Sequence, residues 1–212
     1  MKRLLIILLL LSFESSACLN GVERPISFSD RMVNLSVSLV VNGYNRTGVA
    51  VLLLLNEFQS TERYEIASNL GTAYELSGNN KLARKWIEKA IILNKDSHFG
   101  TEWLHLAILD AKLKMEKNPD WLKTHSIIDL GSVDKHKAYD AFYAQLHERV
   151  RFVKPKDDIV ADMFYLAGIT MLDGYCCMDI DGEILYGTKA FNQSLKYSDL
   201  RKKEIQELLK SH

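Results

Sequence analysis

Glu65 to Asp96 reads EIASNLGTAYELSGNNKLARKWIEKAIILNKD, and this stretch decides the fold. Ile66, Leu70, Ala73, Tyr74 and Leu76 recur at the spacing of one helix face, and Ser77-Gly78-Asn79-Asn80 stops them. Leu82, Ala83, Trp86, Ile87, Ala90 and Leu93 then begin a second helical pattern. Two helices of about 13 residues around a Gly-Asn turn make an antiparallel hairpin. Gly71, Ala83 and Ala90 are small enough to let the two backbones approach, while Leu70, Tyr74 and Ile87 fill the space between.

The same pattern stands upstream. Leu35-Ser36, Leu39 and Gly43 lie 35 residues before Leu70-Gly71, Tyr74 and Gly78. Val49 and Leu53 lie 34 before Ala83 and Ile87, which predicts a first turn one residue longer and puts Asn56 in the place of Ala90. Taken alone, Val33 to Leu39 alternates like a strand. The aligned positions and the matched turn favour a helix instead.

Downstream, Trp103, Leu106 and Ala107 repeat a large-large-small core in a helix running to about Lys117. Asn118-Pro119-Asp120 breaks it, Trp121-Leu122 forms a short turn, and Thr124 to Asp134 reads as a connector. Further helices are predicted over Lys135 to Arg151, Ile159 to Leu172, Tyr186 to Tyr197 and Leu200 to Leu209. Leu166-Ala167, Gly187, Phe191 and Ser194 echo the repeat across an inserted loop, Gly174 to Gly182.

The combination of Leu70-Gly71, Tyr74, Ala83, Ile87 and Ala90 resembles the tetratricopeptide repeat. NLGTAYELSGN, SHFGTEWLHLAILDAKLK, PDWLKTHS, QLHERV and DIVADMFYLAG together resemble a family of exported bacterial tetratricopeptide proteins. The resemblance implies an all-α fold: stacked antiparallel helical hairpins in a right-handed solenoid, with an irregular C-terminal hairpin and a capping helix. It implies a bacterial envelope setting and no particular reaction. The expected division is residues 1–17 as signal peptide, 18–30 as an N-terminal segment, and 31–212 as a single repeat domain.

The signal is read from Met1-Lys2-Arg3, the apolar run Leu4 to Leu11, and Ser15-Ser16-Ala17 before Cys18. Eight apolar residues are too few for a membrane span, which takes about 20. Cleavage would leave Cys18 first, as a candidate lipidation site, although Ser15 departs from the aliphatic residue a lipoprotein signal carries there. A lipid on Cys18 would be the protein's only tie to a membrane. The 27 basic and 27 acidic residues cancel, which argues against nucleic acid as a partner. Three cysteines make no disulfide framework, so packing must supply the stability.

Little in the chain reads as catalytic. There is no nucleophile elbow, phosphate-cradling glycine loop or dinucleotide fingerprint. Asp179-Ile180-Asp181-Gly182 resembles part of a calcium loop, but the closing Glu is missing and an acidic turn is the simpler reading. His98, His105, His125, His136, His147 and His212 show no zinc spacing, so no metal and no cofactor are expected. Cys176-Cys177 supports an alternative, an envelope thiol or metal protein. The leading expectation is a non-enzymatic scaffold that grips a protein or peptide on the concave face of its first helices. Glu65, Ser68, Thr72 and Glu75 are expected to point outward there.

Overall fold

A computed structural model describes residues 27–58, 63–174, 177–180 and 182–211. The segment expected to be a signal peptide, Cys18 and Cys176 lie outside the described residues. Among those described the chain is mostly helical, in two compact units that divide between Lys95 and Asp96.

The first unit holds two helical hairpins, α1 (Phe28–Val41) with α2 (Asn45–Phe58), and α3 (Tyr64–Leu76) with α4 (Asn80–Leu93). Ser27 caps α1 reciprocally with Asp30, and the Asn79 side chain accepts from Leu82 N to cap α4. The segment that alternates like a strand is thus helical.

Both hairpins turn in the same way. Gly43 and Gly78 have φ of +83° and +78°, a backbone that side-chain-bearing residues rarely adopt. Tyr44 N donates to Leu39 O at 2.8 Å, and Asn79 N donates to Tyr74 O at 2.9 Å. These are equivalent bonds of one Schellman cap, 35 residues apart.

The cap corrects the expected register of α2. Gly48, Leu52 and Leu55 are its buried positions, standing 35 residues before the buried Ala83, Ile87 and Ala90 of α4. Val49, Leu53 and Asn56, expected there, are only half-buried. No extra residue enters the first turn, because its hydrogen bonds match those of the second.

The seam positions of the central hairpin are placed as the spacing predicts. Leu70, Ala83, Ile87 and Ala90 have no exposed surface, Gly71 is buried and Tyr74 half-buried. A Cβ built on Gly71 would lie 2.4 Å from Ile87 Cδ1 and 3.3 Å from Ile87 N, so any larger residue here would have to push the Ile87 side chain aside. In the first hairpin the glycine changes helix. Ser36 stands where Gly71 would be, and a Cβ on Gly48 would lie 2.5 Å from Val40 Cγ2 and 3.0 Å from Ser36 O.

The second unit is less regular. α5 (Glu102–Lys117) leads through short 3-10 turns at Trp121–Lys123 and Leu130–Ser132 to α6 (Lys135–Phe152). There follow α7 (Asp158–Leu172), α8 (Gly187–Tyr197) and α9 (Lys202–Ser211). α5 is buried through Leu104, Ile108 and Ala111, while Trp103, Leu106 and Ala107, the expected core set, are half-buried. Eleven of the fifteen residues of α7 are buried, so this helix lies at the centre of the unit's core.

The inserted loop of the last hairpin folds as a small antiparallel ribbon, β1 (Met178–Ile180) with β2 (Glu183–Leu185). Ile180 pairs with Glu183, and Gly182, just before the second strand, has φ +81°. Asp-Gly between alternating apolar residues favours this hairpin, and Met178, Ile180 and Leu185 are buried beneath it. α7 and α8 meet at Gly168, where a Cβ would lie 2.5 Å from the Phe191 ring. The small seam residue is therefore Gly168, one position beyond the expected Leu166-Ala167.

Candidate functional site

The four residues expected to line a groove sit along α3. Glu65 and Thr72 are half-buried, but Ser68 and Glu75 are only 1% and 7% exposed. The expected outward placement of Ser68 and Glu75 is corrected accordingly. The hairpin repeat gives the reason: 35 residues earlier stand Val33 and Val40, both in the core, and Val40 packs on Gly48. Ser68 and Glu75 occupy covered positions of the repeat. Thr72 Oγ1 donates to Ser68 O at 3.3 Å within the helix. Asn69 Nδ2 donates to Glu65 O at 2.7 Å.

The N-terminal ends of α1 and α3 are tied by charge. Arg63 Nη2 reaches Asp30 Oδ1 at 2.8 Å, and its Nη1 donates to Ser29 Oγ at 3.0 Å. Burial opposes ionisation of Asp30, but hydrogen bonds from Arg63 and Ser27 hold its carboxyl below the ordinary carboxylate range.

Large apolar side chains lie exposed on the same unit. Phe28, Leu54 and Phe58 are 75%, 60% and 84% exposed. Leu54 and Phe58 are four residues apart and share one face of α2. Phe28 opens α1 and Phe58 closes α2, so the antiparallel pairing brings both to one end of the hairpin.

A second cluster belongs to the Asp96–His212 unit. His98 and Phe99 have φ of +55° and +56°, rare for residues with side chains and costing of order 1–3 kcal/mol each. With Gly100 at +67° they form a left-handed turn, Ser97–Gly100, ahead of α5. His98 Nε2 lies 3.1 Å from Glu148 Oε1, and its Nδ1 lies 3.6 Å from Glu102 Oε1. His105 Nδ1 lies 3.4 Å from Glu102 Oε2. The chain of contacts runs Glu148, His98, Glu102, His105, with Glu102 buried. Burial works against a charge on His98, yet Glu148 and Glu102 outweigh it and hold the imidazole protonated above its ordinary value.

The two carboxylates meet opposite nitrogens of the His98 ring, so one ion could not bind both through it. Among the described residues, no three His, Cys, Asp or Glu side chains are placed to share a metal. His136 and His147, which share a face of α6, contact Asp140 at 3.7 Å and Arg151 at 3.2 Å. The sequence signal for the cluster was H-x-x-x-E-x-x-H over His98, Glu102 and His105, outside the familiar zinc spacings.

A third group is structural. Asp162 accepts from Arg201 at 2.7 Å and from Ile127 N at 2.8 Å, and Arg201 also donates to Ser126 Oγ at 2.9 Å and to His125 O. This buried pair fastens the connector before α6 to α7 and the start of α9. Cys177 is half-buried, and its carbonyl accepts from the Tyr139 hydroxyl. Asp179 Oδ1 accepts from Gly182 N at 2.9 Å, within the ribbon turn.

No helix among the described residues is long and apolar enough to cross a membrane. Comparison with protein-family models, with curated proteins and with solved structures finds no match to this chain.

Proposed function

We propose that the chain is an exported, tetratricopeptide-like scaffold that binds a protein or peptide partner in the bacterial cell envelope, without catalysis. The observation that carries this reading is the 35-residue recurrence of one hairpin, with equivalent caps and equivalent buried positions in α2 and α4. Stacked hairpins of this kind bury their seams and leave other faces free to recognise a partner. The partner surface we assign is the apolar edge of Phe28, Leu54 and Phe58, in place of the largely covered α3 stripe. Clustered exposed apolar side chains of this size mark interaction surfaces more often than chance.

The test is capture by the tagged full chain from an envelope extract, compared with Leu54→Asp/Phe58→Asp. Both side chains are exposed, so the melting curve should be unchanged while the captured partner is lost. A partner retained by a folded double variant would remove this edge from the account. Mass spectrometry of the mature protein checks export: an N-terminus at Cys18 supports it, and an intact Met1 rejects it. A diacylglyceryl mass on Cys18 would establish the lipid anchor.

A further inference from the structure

We propose that His98 is a protonation-operated latch: its imidazolium, bridging Glu148 on α6 and Glu102 on α5, holds the left-handed turn Ser97–Gly100 closed, and losing the proton frees that turn. Three observations converge on it. The turn contains two consecutive side-chain-bearing residues in a conformation they rarely adopt, so something outside its own backbone must hold it. The His98 ring is the side chain that does so, with carboxylate oxygens 3.1 Å and 3.6 Å from its two nitrogens. A neutral imidazole keeps only one N–H, so it can donate to one carboxylate and must turn a lone pair toward the other.

The titratable groups acting on His98 come from the two helices against which the turn packs: Glu148 from α6, and Glu102 and His105 from α5. Both glutamates favour the charged ring, whereas His105 opposes it and itself lies against Glu102. A proton on His98 therefore joins both helices, and its loss leaves two carboxylates facing one donor. The side chain released with the turn is Phe99, which is 91% exposed. A phenyl group held clear of the surface in one state and mobile in the other gives the unit a pH-dependent apolar feature.

The experiment follows the Thr101 amide, which donates to His98 O at 3.1 Å and belongs to a residue 1% exposed. Its hydrogen-exchange protection, corrected for intrinsic base catalysis, is measured by NMR on the full chain while His98 is titrated through its own ring resonances. The protection factor should fall about tenfold or more as His98 loses its proton, while the Ala83 amide in α4 stays level. In His98→Gln the protection should lie at the low value throughout, with no pH step. In Glu148→Gln the His98 midpoint should move down and the step should move with it. Thr101 protection that is equal on both sides of the His98 titration would overturn the proposal, as would a ring that titrates below about 6.5. If either variant fails to fold, the wild-type titration alone decides.

Discussion

The hairpins α3–α4 and α7–α8 put a glycine against a large side chain of the partner helix in the same manner, Gly71 on Ile87 and Gly168 on Phe191. Sixteen positions separate the first pair and twenty-three the second, because a β-ribbon lies between α7 and α8. The seam is fixed by the close approach of backbone to side chain, so the connection can lengthen without disturbing it. What differs is how each unit sets its surroundings. The first repeats an apolar seam at a constant period. The first carries the tie of Arg63 to Asp30 beside that seam, whereas the second is organised by the buried Asp162–Arg201 pair and the His98–Glu102 chain, which no period governs.

The sharpest way to break this contrast is Asp162→Ala. It leaves the buried Arg201 with only the longer carboxylate contact to Glu204, 3.4 Å away, and leaves Ile127 N unpaired, so the second unit should lose about 3–5 kcal/mol. Chemical denaturation checks this, and hydrogen exchange should place the loss between Asp96 and His212. A cost below about 1 kcal/mol would mean that the pair does not organise this unit.

Gly71→Leu should destabilise the first unit by about 1–3 kcal/mol, since the added carbons meet Ile87 at sub-contact distance. Combining it with Ile87→Ala should recover part of that loss, and a double-mutant cycle reads the coupling. Purely additive effects would dissolve the seam at Gly71. Gly168→Leu should cost more than Gly71→Leu. A phenyl ring yields less readily than the end of an isoleucine, and thermal melts of the two variants give the ranking.

Much of this was legible in the sequence. The helices after Lys135 were placed within about two residues by apolar period and by the breakers between them, and the caps at Gly43 and Gly78 by glycine and asparagine. The α2 register was not, because Val51 to Leu55 is a continuous apolar run in which a one-residue shift leaves the pattern almost unchanged. The burial of Gly48, Leu52 and Leu55 and the hydrogen bonds of the turn resolve it. The ribbon was legible in principle through Asp181-Gly182, but strands this short carry little alternation, and the acidic residues around Gly182 read simply as a turn. The His98 cluster was hidden for a different reason. Its partner Glu148 lies fifty residues away, and two side-chain-bearing residues at positive φ leave no mark on composition.

Smaller effects separate the units by pH. His98 binds its proton more tightly when folded than when unfolded, so its stabilisation is full below about pH 6.5 and is lost as pH rises through the raised folded value. Asp30 behaves oppositely. Its lowered folded value gives a stabilisation that is full above about pH 3.8 and is lost as pH falls through that lowered value. Melting curves across pH should therefore show His98→Gln removing the alkaline fall and Asp30→Asn removing the acid one. An alkaline fall that survives His98→Gln would assign it elsewhere.

The 35-residue hairpin period is the claim on which both the fold and the proposed scaffold depend, and thiol labelling reads it directly. In a chain whose own cysteines are replaced by serine, Leu52→Cys and Leu53→Cys are compared under native conditions. The period places Leu52 in the seam with no exposed surface and leaves Leu53 half-buried. The thiol at 52 should react only through unfolding, and the thiol at 53 markedly faster. The reverse order, a protected 53 and a reactive 52, would set the period at 34 and contradict the account.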